Sequence, residues 1–164
     1  MASVHPISGP DFGLSMQNFD CVMENQTGGA VTKGTVLAVK LPVALTNLND
    51  RQLYKEVGDV ADAADDDVDN NITGLMCVAL EDAADEARLR VRFQGICHAL
   101  AGGTVNIGDM CTVDGNGKLV AAAGGDKVVA SYPGVGPLGT LAAAAADDLV
   151  QVYFDGLNGF GNEA

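Results

Sequence analysis

The chain has no tryptophan and only eight aromatic residues among 164, five Phe and three Tyr. Its core must therefore be closed mainly by aliphatic and small side chains. Basic residues are scarce as well. Nine Lys and Arg face 22 Asp and Glu, for a formal charge of −13 and a pI near 4.2. No basic patch emerges to hold a phosphate backbone, which argues against nucleic acid as a partner. Long apolar runs are missing too. Stretches such as residues 141–146 fall far short of the roughly 20 residues that cross a bilayer, and no sustained heptad marks a coiled coil. No membrane association is expected.

The four cysteines (Cys21, Cys77, Cys97 and Cys111) stand singly, with no C-x-x-C pair. Among apolar neighbours they read as small buried hydrophobes kept reduced. A zinc site needs His and Cys at ligand spacing. Here only Cys97 and His98 adjoin, and strand neighbours point to opposite faces, so no metal is expected. Residues 1–13 (MASVHPISGPDFG) lack a basic and an apolar signal region, so no secretory signal is expected. Nothing assembles a nucleophile, a base and an orienting group. The histidines are His5 and His98, the serines Ser3, Ser8, Ser15 and Ser131, and G-x-S-x-G is absent. No catalytic activity and no cofactor are expected.

What is abundant is Ala and Gly, with 23 and 21 residues, set among short runs of Val, Leu and Ile. Residues 1–26 read as an extended N-terminal arm. Pro6, Pro10 and Gly13 oppose a helix, while Phe12, Leu14 and Met16 alternate and Phe19 follows. Such apolar teeth can pack on the chain's own body or add to a neighbour's sheet. From residue 27 to 164 the texture is all-β, interrupted over 42–71 by an acidic insertion carrying Glu56, Asp59, Asp62, Asp65, Asp66, Asp67 and Asp69. A calcium loop fails on this segment. Asp65, Asp67 and Asp69 fit the first ligand positions, but Asn70 stands where Gly is required and Met76 where Glu is required.

The clearest strand is residues 88–94. Leu89, Val91 and Phe93 alternate with Arg88, Arg90 and Arg92. These arginines are one third of the nine basic residues, placed on one face of one strand. In so acidic a chain they are expected to meet carboxylates of a neighbouring strand or subunit.

Two similar units are visible. VTKGTVLAV (31–39) matches VNIGDMCTV (105–113), both V-x-x-G-T/D-x-x-x-V. ITGLMCVALEDAAD (72–85) leading to LRVRFQG (89–95) parallels LGTLAAAAADD (138–148) leading to VQVYFDG (150–156). Phe93 and Phe154 are 61 residues apart, as are Gly95 and Gly156. Pairing the units into one small barrel or sandwich is the economical expectation, with Ala-rich strands where two sheets approach closely. Residues 134–139, GVGPLG, satisfy G-x-G-x-x-G and are followed by an Ala-rich run. Only nine residues follow Asp155, too few for further βαβ units, so a loop between strands is the expected reading rather than a dinucleotide site.

The V-x-x-G-T/D-x-x-x-V match, the acidic A-A-D turn, the V-x-V-x-F-x-G strand and IGDMCTVDGNGKLVAA (107–122) together resemble small capsid decoration (cement) proteins of tailed bacteriophages. The resemblance covers roughly residues 28–156 through Gly, Ala and Val patterns. It implies a small β-barrel or β-tulip body, a homotrimer bound to the major capsid protein on the outer capsid surface of a virion assembled in the host cytoplasm. The arm and the 42–71 segment are longer than the resemblance leads one to expect. Candidate contact residues are Phe12, Leu14, Met16 and Phe19 in the arm and Arg88, Arg90 and Arg92 on the strand. The alternatives are another virion part, such as a head-fibre base or tail component, and a nucleotide-binding enzyme through Gly134 to Gly139.

Overall fold

A computed structural model describes residues 18–40, 56–60, 72–136 and 141–157. Among these residues the chain is all-β, with no helix. Its strands are β1 (Phe19–Asn25), β2 (Val36–Lys40), β3 (Glu56–Asp59), β4 (Ile72–Ala79), β5 (Arg88–Leu100), β6 (Met110–Val113), β7 (Leu119–Ala121), β8 (Ala130–Ser131) and β9 (Leu149–Asp155). Five of them close a barrel in the order β1-β3-β2-β4-β5, with β1 returning to pair antiparallel with β5. Closure leaves no sheet edge along the paired stretch and encloses Met23, Leu37, Val39, Val57, Cys77, Leu89, Val91 and Phe93.

The alternation read over 88–94 continues to Leu100, giving a strand of 13 residues. Gly95 lets it bend without ending, because it sits at φ 120°, a region barred to most side chains. A Cβ there would also strike Asn18 Oδ1. His98 lies within this strand and is exposed.

The remaining strands repeat the first five around the second half of β5, in the order β5-β9-β8-β6-β7. A parallel bridge from Ala101 to Leu119 joins the two ends. It corresponds to the parallel pair of Asn25 with Val57 in the first ring. Other contacts of the first unit recur in the second. The bridge Val31–Ala83 returns as Val105–Ala144, the pair Leu37–Cys77 as Cys111–Ala130, and Cys21–Val91 as Cys97–Val152. Even the left-handed residues recur: Gly34 and Gly108 at φ 91° and 89°, Glu86 and Asp147 at 59° and 67°.

The fold is therefore the small all-β barrel of two similar units that the sequence leads one to expect, and the structure adds how the units join. Each wraps a core of its own, and β5 serves both, its first half completing one ring and its second half beginning the next. The second core holds Cys97, Ala99, Val105, Cys111, Leu119, Tyr132, Val150, Val152 and Phe154. Val36, Val60 and Val78, carried by the first unit, belong to the same cluster and dock the rings side by side. Backbone bonds reinforce the seam: Val36 N–H to Gly117 O at 2.7 Å, Leu100 N–H to Gly34 O at 2.9 Å and Met76 N–H to Gly156 O at 3.0 Å.

Residues 19–25, grouped above with the arm, form β1 of the closed barrel. From the acidic 42–71 segment, Val57 is buried in the ring on β3. The Ala-rich run over 141–146 is not a strand between close-packed sheets. Ala144 alone is buried there, while Ala142, Ala143, Ala145 and Ala146 are exposed.

Candidate functional site

Three of the residues singled out in the sequence stand in a row on the outward face of β5. The antiparallel register sets Arg92 opposite Asp20, Arg90 opposite Val22 and Arg88 opposite Glu24 on β1. Directly opposed residues share a face and lie within side-chain reach. Arg92 grips Asp20 with two bonds, Nε to Oδ1 at 2.6 Å and Nη2 to Oδ2 at 2.7 Å. Its Nη1 also donates to the Ile96 carbonyl beyond the bend of β5. One guanidinium thus ties β1 to both halves of the shared strand. Hydrogen bonding to Arg92 holds the Asp20 carboxyl below its usual 3.8, and the same contact raises the Arg92 pKa. On the other side of β5, Arg90 Nε reaches Glu81 Oε2 at 3.4 Å, with both side chains largely in water. Arg90 and Arg92 therefore do meet carboxylates of neighbouring elements.

The middle rung differs. Val22 is 60% exposed and stands opposite Arg90, an apolar and a cationic side chain side by side on a sheet. Phe19, half exposed, covers the end of the first core, its ring 5.5 Å from that of buried Phe93. Phe12, Leu14 and Met16 lie outside the described residues. Asp20, Val22 and Ile96 were not anticipated. Carboxylates at 20 and 24 are four residues apart, as Arg88 and Arg92 are, and that spacing is the signal that could have paired the strands.

The rest of the chemistry is quiet. Burial pushes the Cys97 and Cys111 thiols up to about 12, and Cys77 is raised further, so these three stay protonated packing groups. Among the described residues no three of His, Cys, Asp and Glu converge on a point. Gly134 and Gly136 lie in the loop after β8, and the described alanines that follow are not helical, so among the described residues no helix N-terminus faces that loop to receive a phosphate. A cavity of about 190 Å³ opens between the rings, lined by Thr27, Thr32, Thr35, Asp59 and Asn116 among others. That volume is below the roughly 300–1,000 Å³ of ordinary cofactor and ligand sites. No family model matches the sequence, and no curated protein matches it.

Proposed function

We propose that this protein is a structural part of a bacteriophage virion, seated on the outside of the capsid, where it cements neighbouring major capsid proteins and stabilises the DNA-filled head. The sequence resemblance suggests the role. The observation that supports it best is the β1–β5 face. Here three arginines stand in a row on a closed barrel, Arg92 paired with Asp20 and Arg90 with Glu81, and Val22 and Arg90 are exposed at the centre. Exposed Arg beside an apolar side chain is the composition of binding hot spots. A role of this kind asks for a stiff body and a recognition face rather than reaction chemistry. Repetition over many symmetric copies would let modest contacts add.

The test is sedimentation of purified protein with undecorated mature capsids. Co-sedimentation that saturates is the expected result, and its absence at saturating protein would overturn the reading. Arg90→Glu should weaken binding by about 2 kcal/mol, roughly 30-fold. Its melting temperature should stay close to wild type, because the Glu81 pair it breaks is solvent-exposed. Unchanged affinity would move the contact off this face.

A further inference from the structure

The hairpin between β6 and β7 is organised by one side chain. Asp114 Oδ1 accepts from the Asn116 N–H at 2.9 Å and from the Lys118 N–H at 2.8 Å. The Asp114 carbonyl accepts from the Gly117 N–H at 3.1 Å. The tip of the hairpin then docks on the first ring, where Gly117 O accepts the Val36 N–H at 2.7 Å. Only glycine serves at that position. Its φ is 71°, and a Cβ would meet Thr35 Cγ2 at 2.8 Å as well as the Val36 carbonyl. The contact that joins the rings thus requires a glycine directly after Asn116, whose own side chain is exposed.

Asparagine followed by glycine has its own chemistry, because glycine brings no side chain to obstruct its backbone nitrogen. Base takes the proton of the Gly117 nitrogen, which bonds to Asn116 Cγ. The Cγ–Nδ2 bond breaks and the amide nitrogen leaves as ammonia. Water then opens the five-membered imide at one of its two carbonyls, leaving aspartate or isoaspartate. Water is the only co-reactant. The docked turn opposes the first step three times over. The Gly117 N–H is held by Asp114 O, the peptides on either side are fixed by Asp114 Oδ1, and the Gly117 carbonyl is tied to Val36. The nitrogen cannot tilt toward Cγ without breaking these bonds.

We propose that Asn116 is a deamidation site under the control of the seam, quiet while the turn is docked on Val36 and reactive when it lifts. The products oppose redocking. Isoaspartate routes the main chain through an extra methylene just before Gly117, displacing the carbonyl that Val36 bonds. Either product also sets a new carboxylate in the same turn as Asp114 and in the cavity that Asp59 lines, where like charges repel. A passing local opening is thereby converted into a lasting loosening at the place where the rings meet.

The experiment needs only the isolated full chain, so its outcome does not depend on the capsid reading. The protein is incubated at mildly alkaline pH, folded or unfolded in urea, and the peptide carrying Asn116 is followed by mass spectrometry. The chain's other Asn-Gly pair, Asn158 and Gly159, gives the rate of the same dipeptide in urea. In the unfolded chain the two sites should react alike. In the folded chain the rate at Asn116 should follow the fraction of time the turn is open, and fall roughly tenfold or more. Asp114→Ala, which frees the amides of Asn116 and Lys118, should restore much of the lost rate while circular dichroism shows a folded body. Should that variant not fold, wild type in urea below its unfolding transition reads the same opening through a rising rate. Equal rates in the folded and unfolded chain overturn the proposal. So does an unfolded chain that gives no product at Asn116, or a folded Asp114→Ala that reacts as slowly as wild type.

Discussion

Asn25 is fully buried and fully satisfied. Its Nδ2 donates to Gly29 O at 2.8 Å and Ala84 O at 2.9 Å, and its Oδ1 accepts from Thr27 N at 3.1 Å and Thr27 Oγ1 at 2.8 Å. The side chain thereby fastens the loop after β1 to the turn before β5. At the corresponding place in the second ring stands Ala101, also buried, whose backbone alone does the joining. Asn25→Ala would remove four bonds and leave the Gly29 and Ala84 carbonyls each short of one donor at a part-buried site. Each such loss costs about 1 kcal/mol or more, so the variant should lose about 3 kcal/mol. Urea unfolding checks this through a lower midpoint at unchanged slope. A loss below about 1 kcal/mol would show that the loop is held by other contacts.

At the scale of the element, the Asp20–Arg92 pair joins β1 to β5, and its pH dependence has a definite sign. The folded Asp20 pKa lies below its usual value, so protonation favours the unfolded chain. The contribution is complete above the unfolded pKa near 3.9 and is lost as pH falls through the lower folded value. Asp20 is 39% exposed, and solvent screening keeps the pair under about 1 kcal/mol. Asp20→Asn should thus be slightly less stable than wild type at neutral pH, with the gap closing between about pH 5 and pH 2. Thermal melts across that range check it; a gap that widens on acidification would contradict the assignment. The two strands of this pair were unequally legible. In β5, Leu89, Val91 and Phe93 alternate cleanly with arginine, and the strand could be read directly. In β1, Val22 faces solvent while Asn25 is buried, reversing the polarity expected of each face, so the segment read as arm. The short β3 was hidden in the same way, its buried Val57 and Gly58 set between acidic residues. Duplication was visible because the left-handed Gly34 and Gly108 and the paired phenylalanines are constrained by backbone and core. How the units join was not, since Gly95 reads as a breaker while its conformation lets one strand serve two rings. For the candidate site, the arginine row was legible from its period alone. Its carboxylate partners needed the register.

On the scale of the whole molecule, the sharing of β5 makes the rings one cooperative body. Val78 is the residue on which this can be tried. It sits on β4, a strand of the first ring, yet is fully buried in the second core. If the rings were independent, Val78→Ala would loosen their seam and reveal two unfolding transitions. But the seam is covalent along β5, hydrogen-bonded through Val36, Leu100 and Met76, and packed by Val36, Val60 and Val78 together. Losing one side chain's methyl groups leaves most of that intact. The substitution should cost about 2 kcal/mol as a cavity at the junction, lowering the melting temperature by about 4–8 °C for a chain of this size. Unfolding should remain a single transition. Calorimetry decides between the two behaviours: equal calorimetric and van't Hoff enthalpies before and after the change follow from a shared strand, whereas a second peak in the variant would mean that β5 connects the rings without coupling them.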